Sequence, residues 1–198
     1  MFLIDKNSWK VKKTKNKGFG IFAKKTIKKG TVVGDYLGRV IKIAEYNLNL
    51  YKKGLYLMFL NDEAAIYPDL KKPGIHLFNH SCEPNCFIYS YRGHTLFFAL
   101  KNINAGEELT ISYLIPPKDK DCNPCTHVCR CRSESCTGTM HTEKTKYKIW
   151  QKFQNEMKKK TETAKFVVGK NLPKLKKYPI RVPGRYIKTL LLDLKLAK

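Results

Sequence analysis

The stretch "NHSCEPNC", from Asn79 to Cys86, places an Asn, a His, two Cys and a Pro between the apolar segment "GIHLF" at 74–78 and a run of alternating aromatics. A Cys-x3-Cys pair is most often two buried thiols, because a free Cys packs as a small hydrophobe. What else the octapeptide does depends on what the rest of the chain supplies.

On its C-terminal side, "CFIYSYRGHTLFFAL" at 86–100 alternates on both sides of Arg92-Gly93, which predicts a β-hairpin. "NAGEELTISYL" at 104–114 then predicts a Gly-containing turn and a last strand ending at Tyr113. On its N-terminal side, residues 8–60 read as short strands broken at "GFG" (18–20) and "KKG" (28–30), followed by the β-branched "TVVGDYLGRVI" (31–41). "AEYNLNLYKKG" (44–54) predicts a short helix ending at Gly54, before a strand "LYLMFL" (55–60) and a turn at Asn61-Asp62. The pattern is mainly β, in small twisted sheets.

The composition breaks at Pro116-Pro117, so the divisions expected are a β domain over 8–116, a Cys-rich segment over 117–140 and a basic, largely helical extension over 141–198. In the extension, "EKTKYKIWQKFQNEMKKK" sets Tyr147, Trp150, Gln154 and Met157 on one helical face with Phe153 beside them. "RYIKTLLLDLKLAK" sets Ile187, Leu190, Leu191 and Leu194 at i, i+3, i+4 and i+7, the spacing of a packed terminal helix.

A chain of 198 residues buries a real core without disulfides. "MFLIDKNSWK" reaches a charge after four residues and no apolar run is long enough to span a bilayer, so the expectation is a soluble, intracellular protein without a membrane partner. Of seven Cys, five crowd between Cys122 and Cys136, which suits metal ligation by reduced thiols better than spread bridges. The net charge is +23, and residues 140–198 hold 17 basic against 4 acidic residues. A surface so basic attracts polyanions, which points to DNA or nucleosome contact through the extension. Lys far outnumbers Arg, so compositional bias accounts for the charge equally well. Nothing in the sequence fixes the oligomeric state, and a homodimer is one arrangement left open.

Four stretches in order, "KGFGIFAKKTIKKGTVVGDYLGRVI" (17–41), "LFNHSCEPNC" (77–86), "AGEELTISY" (105–113) and "CRCRSESC" (129–136), form a constellation. It resembles a SET-domain protein lysine methyltransferase with a post-SET zinc segment. The resemblance covers roughly residues 8–140. It implies that the segment at 77–82 threads through a loop closed by the strand at 109–113. That knot-like crossing would gather Asn79, His80 and Tyr113 around S-adenosylmethionine, with Lys17, Gly18, Phe19 and Gly20 at the cofactor's methionine end. It also implies a zinc ion held by Cys82, Cys129, Cys131 and Cys136, which answers for one Cys of the octapeptide, while Cys86 reads as core. Cys122 and Cys125 lie outside the family pattern: they are alternative ligands, part of a second site with His127 or His141, or spare thiols, and spare or partly metal-linked thiols are the plainest reading.

The activity implied is transfer of a methyl group from S-adenosylmethionine to a lysine of a histone or other chromatin protein, in the nucleus or on chromatin. Tyr113 is the expected catalytic phenol and Tyr36 the second, with Tyr56 and Ile111 lining the lysine channel. An apolar Ile111, where the family has an aromatic, leaves room for di- or trimethyl products. The sequence departs from the family pattern at His76, three before the Asn, and at Ser112, before the essential Tyr. The alternative reading is a non-catalytic zinc-containing protein that binds nucleic acid or acts as a scaffold.

Overall fold

The computed structural model describes residues 2, 3, 5, 7–45, 56–61, 63–120, 122–160 and 166–194. Its strands are β1 (Phe2–Leu3), β2 (Trp9–Lys13), β3 (Phe19–Ala23), β4 (Val32–Asp35), β5 (Arg39–Lys42), β6 (Met58–Phe59), β7 (Ala64–Tyr67), β8 (Asn79–His80), β9 (Cys86–Tyr91), β10 (His94–Ala99) and β11 (Glu108–Ile111). Two helices follow, α1 (Lys144–Lys160) and α2 (Gly184–Leu194). Among the described residues the strands form three small sheets, ordered β1-β4-β10-β9, β2-β3-β11-β8 and β5-β7-β6. The architecture is the mainly β one expected, and among the described residues the α-helices lie in the C-terminal extension.

Turn chemistry sets the registers. Arg92 and Gly93 both take positive φ, 48° and 74°. That is the primed turn whose twist matches the strands it joins, and it pairs β9 with β10 from His94↔Tyr91 to Ala99↔Cys86. Gly106, at φ 90°, turns the chain into β11. That strand ends at Ile111, two residues earlier than predicted, because the Tyr113 amide donates to the His80 ring instead of to a neighbouring strand. Of the strand predicted over 55–60, Met58–Phe59 is the part that is extended and paired among the described residues. The helix predicted over 44–54 lies outside the described residues, apart from a 3₁₀ turn over Ile43–Glu45.

Two apolar clusters hold these parts together. The first lies between the sheets and contains Ile21, Val40, Ile66, Phe78, Phe97 and Leu109, with Cys86 wholly buried among them. The second joins the β sheet to the extension: Val32, Phe87, Leu96 and Phe98 pack against Trp150, Val182, Tyr186, Ile187 and Leu190. Phe87 and Trp150 meet edge to face at 5.1 Å. The Tyr186 hydroxyl donates to the Ile88 carbonyl at 2.9 Å. Each such side chain removed from water contributes roughly 1.5–3 kcal/mol, so the extension is bound to the β domain by its own core. A buried polar link adds to this. Asp35, inaccessible to solvent, accepts from the Tyr178 hydroxyl and contacts His94 Nδ1, each at 2.8 Å.

Candidate functional site

β8 and β11 run parallel, with Asn79 opposite Thr110 and His80 opposite Ile111. The Ser81 amide continues the ladder to the Ile111 carbonyl at 2.9 Å. Asn85 locks the crossing, since its amide donates to the Glu108 carbonyl and its oxygen accepts from the Thr110 amide, both at 2.8 Å. Two segments separated by some thirty residues of chain thereby present Asn79, His80 and Tyr113 together.

Asn79, largely buried, donates through Nδ2 to the Phe19 carbonyl at 3.1 Å and to Glu108 Oε1 at 2.6 Å. The other oxygen of Glu108 pairs with Lys17 Nζ at 2.8 Å. Lys17, Phe19, Asn79 and Glu108 therefore form one chain of polar contacts along the β3–β11 edge. Gly20 is needed inside it: a Cβ there would lie 2.6 Å from Glu108 Oε1 and 2.8 Å from Asn79 Nδ2. Gly18 differs. Its φ is +72°, which glycine adopts without strain, and the space beside it is open. The Phe19 ring next to it is more than half exposed.

His80 Nδ1 accepts the Tyr113 amide at 3.2 Å. The proton of the neutral ring is then on Nε2, which faces Cys82 Sγ at 3.6 Å. Burial, helped by nearby Lys17, lowers the His80 pKa to about 4 and keeps it neutral. The Tyr113 hydroxyl donates to the Phe78 carbonyl at 3.1 Å, and its ring packs edge-on against His80 at 5.4 Å. Burial, with Tyr56 beside it, pushes the Tyr113 phenol up to about 12. Tyr36 is buried, and its hydroxyl donates to the Tyr56 carbonyl at 2.5 Å. Burial first, then the neighbouring Tyr113, Tyr56 and Tyr67, raise its pKa further still. Three of the expected residues, Tyr36, Tyr56 and Tyr113, thus lie within electrostatic reach of one another, and the phenols of buried Tyr36 and of partly exposed Tyr113 stay neutral at neutral pH.

Tyr56 also meets the buried His76 ring edge-on at 5.2 Å. Ile111 lies in the first apolar cluster, in company with Tyr36 and Phe78. Glu108, absent from the sequence-derived set, is the residue that joins Lys17 to Asn79.

Next to this crossing the thiols of Cys82, Cys129, Cys131 and Cys136 converge, every sulfur within 4.8 Å of the others. Cys82 and Cys129 are 3.8 Å apart, and the Cys82 amide donates to Cys131 Sγ at 3.5 Å. Sulfurs about 2.3 Å from a tetrahedral zinc are spaced about 3.8 Å from each other. The four thiols fit such an ion and are far too distant for a disulfide. Burial raises the Cys129 and Cys82 thiols. At Cys131 burial acts the same way but is outweighed by the Cys82 amide and Ser133, leaving it at about 6.

A second group forms from Cys122, Cys125, His127 and His141, whose sulfur and nitrogen atoms also lie within 4.8 Å of one another. Cys122 and Cys125 are therefore not isolated thiols: each contacts both imidazoles.

A small β fold in which a parallel crossing sets an Asn, a His and a Tyr beside a four-thiol cluster defines a class, and the comparisons identify it. The SET domain family model matches residues 18–114, and that stretch of the chain is a SET domain. Histone-lysine N-methyltransferase TRX1 of Oryza sativa subsp. japonica is 35% identical over 143 residues, covering 65% of this chain and 13% of that protein. Histone-lysine N-methyltransferase ASHR3 of Arabidopsis thaliana is 30% identical over 145 residues, 68% of this chain and 28% of that protein. A Mycosarcoma maydis histone-lysine N-methyltransferase, H3 lysine-36 specific, is 31% identical over 140 residues, 64% and 14%. The chain thus spans about a quarter or less of the length of these relatives. Among the described residues no helix is long and apolar enough to cross a membrane.

Proposed function

We propose that the protein is a protein-lysine N-methyltransferase that uses S-adenosylmethionine and acts on a histone or another chromatin protein, in the nucleus or on chromatin. The observation that carries this reading is the meeting of Asn79, His80 and Tyr113 at the β8–β11 crossing. The residues fit the cofactor: Gly18 borders open space, the Phe19 ring is exposed beside it, and Asn79 and His80 bring buried polar groups to the same edge. S-adenosylmethionine, when bound, supplies an electrophilic methyl group.

The chain's own residues have three tasks. Lys17, Gly18, Phe19, Gly20, Asn79 and His80 bind the cofactor along the β3–β11 edge. Tyr113 and Tyr36, with Tyr56, wall a channel for the substrate lysine. A free lysine has a pKa near 10.4 and is almost wholly charged at neutral pH; a channel lined by neutral phenols disfavours the ammonium and lowers that pKa. The Tyr113 hydroxyl then orients the amine lone pair, a positioning role in which alignment supplies most of the rate gain. Ile111 brings no hydroxyl to hold a water against the nitrogen, so the channel accepts di- or trimethylated product. Cys82, Cys129, Cys131 and Cys136 hold a zinc that fastens the 117–140 segment over the cleft and provides folding energy a short segment cannot draw from apolar burial. The basic extension, through exposed Lys174, Lys176 and Lys177 and through Lys158–Lys160, provides a docking face for DNA or nucleosomes.

Incubation with methyl-labelled S-adenosylmethionine and separate pools of free histones, nucleosomes and lysate tests the proposal. Label should enter a protein band, and Tyr113→Phe should bind the cofactor as well as wild type while losing at least ~100-fold in turnover, since only a contact made at the transition state is removed. Cofactor binding without labelling of any band, or full turnover by Tyr113→Phe, would reject it.

A further inference from the structure

Cys122, Cys125, His127 and His141 belong to no part of the methyl-transfer machinery. They are assembled by backbone pairing outside the cofactor cleft. Val128 and Thr139 form an antiparallel bridge, flanked by the Met140 amide donating to the His127 carbonyl at 2.8 Å and the Cys129 amide to the Gly138 carbonyl at 2.9 Å. A parallel bridge joins Ile115 to His141, and the Thr142 amide donates to the Ile115 carbonyl at 2.8 Å. These ladders fix His127 and His141 with their rings 4.7 Å apart, across from the Cys122–Cys125 loop.

The distances are those of a coordination shell. Cys122 Sγ is 3.4 Å from His127 Nδ1 and 3.4 Å from His141 Nε2; Cys125 Sγ is 3.9 Å and 3.5 Å from the same atoms. A tetrahedral zinc with bonds near 2.3 Å to sulfur and near 2.05 Å to nitrogen sets sulfur and nitrogen about 3.6 Å apart. Ordinary hydrogen bonding explains the group less well, since His141 Nε2 has one lone pair to offer two thiols, 3.4 Å and 3.5 Å away. The tautomer is also set. His141 Nδ1 donates to the Pro116 carbonyl at 2.6 Å, so its Nε2 carries the lone pair that faces the two sulfurs. A backbone carbonyl holding the far nitrogen of a ligating imidazole is the usual support of a metal site.

We propose that Cys122, Cys125, His127 and His141 bind a second zinc ion, which ties the end of the β domain at Pro116 to the residues that lead into α1. Two thiolates and two imidazoles in a closed tetrahedron select zinc over magnesium or calcium, which take oxygen ligands. With no position left for water or substrate, the ion is structural. It adds a joint distinct from the four-thiol site: that site fastens the 129–136 segment to the octapeptide, while this one fixes the direction in which the extension leaves.

Metal analysis of the purified full chain tests this. Wild type should contain two zinc ions per chain, and X-ray absorption at the zinc edge should show an average of three sulfurs and one nitrogen per metal. Cys122→Ser/Cys125→Ser should retain one zinc with all-sulfur ligation, and Cys136→Ser should retain one with mixed ligation. His127→Cys should keep both ions while raising the sulfur share, which guards against a variant that loses metal merely by misfolding. One zinc per chain in wild type, or two in Cys122→Ser/Cys125→Ser, would overturn the proposal. A wild type with one all-sulfur zinc would remove this site and leave the four-thiol site and the methyltransferase reading standing.

Discussion

Replacing Gly20 with Ala puts a methyl group where Asn79 and Glu108 already meet. The new Cβ would lie 2.6 Å from Glu108 Oε1 and 2.8 Å from Asn79 Nδ2, against 3.4 Å or more for ordinary contact. Both neighbours are side-chain ends, so they can retreat, but only by giving up the 2.6 Å hydrogen bond between them. A hydrogen bond to a charged group contributes about 1.5–3 kcal/mol. Exchanging Gly for Ala restricts the unfolded chain and returns about 0.4–1 kcal/mol, which leaves a net loss of about 1–2 kcal/mol. For a chain of this size that lowers the melting temperature by about 2–8 °C. Asn79 is re-aimed at the same time, so affinity for S-adenosylmethionine should fall about 5- to 30-fold in a calorimetric titration. Two companions isolate the cause. Gly18→Ala meets no atom within 4 Å but sits at φ +72°, so it should lose about 1–2 kcal/mol to backbone strain and regain most of it as Gly18→Asn. In a Glu108→Ala background the Gly20→Ala change should cost clearly less, because the hydrogen bond it breaks is already gone and only the approaches to Asn79 Nδ2 at 2.8 Å and Thr14 Cγ2 at 3.1 Å remain. Equal losses in both backgrounds, or a Gly20→Ala protein as stable as wild type, would refute the reasoning.

Cys136→Ser should lower zinc content by one ion per chain and reduce methyl transfer, whereas Cys86→Ser, changed at a wholly buried core position, should leave metal content unaltered by elemental analysis. Burial lowers the His76 pKa to about 4 from an unfolded value near 6.5, so its neutral form favours the folded state. Its contribution to stability is complete above pH 6.5 and lost as the pH falls towards 4. His76→Gln should therefore flatten the fall in denaturant midpoint between pH 6.5 and 4, and an unchanged slope would contradict this. Tyr178→Phe removes one of the two hydrogen bonds to a fully buried Asp35 whose Oδ1 has no hydrogen-bond partner, and should cost about 1.5–3 kcal/mol in denaturant unfolding.

How far the sequence discloses this molecule depends on the range of the interaction. The β9–β10 hairpin is visible in Arg92-Gly93 because turn chemistry is local, and α2 is visible in the spacing of Ile187 and Leu190, both of which are buried. The end of β11 is not, since it depends on a His80 ring 33 residues away taking the Tyr113 amide. Glu108 is equally hidden. Its place beside Asn79 and Gly20 follows from its register opposite Phe22, which no run of residues around it encodes. The resemblance places Gly20 at the cofactor's methionine end, and in the structure it is Glu108 and Asn79 that crowd its Cα. The thiol cluster lay open because three of its members share eight residues, whereas His127 and His141 come together through the Val128–Thr139 and Ile115–His141 bridges. Tyr186 shows the same limit: it sits one residue before the apolar spacing of α2 begins, yet it fills the second core.

The manner in which the extension meets β4 bears on how the protein is made. Val32 donates its amide to the Ile180 carbonyl at 3.0 Å, Val182 donates to the Gly30 carbonyl at 2.9 Å, and Thr31 and Arg181 form an antiparallel bridge. β4 is thus covered by residues made after it. The last sheet strand is complete at Ile111, while Leu190 is the deepest plug of the second core. At about 5–20 residues per second, roughly 4–16 s of translation separate the two. Until Trp150 and then Val182, Tyr186, Ile187 and Leu190 emerge, Phe87, Leu96 and Phe98 lack part or all of their cover, so the nascent chain carries a greasy face that a ribosome-associated chaperone would hold and that a crowded polysome would punish.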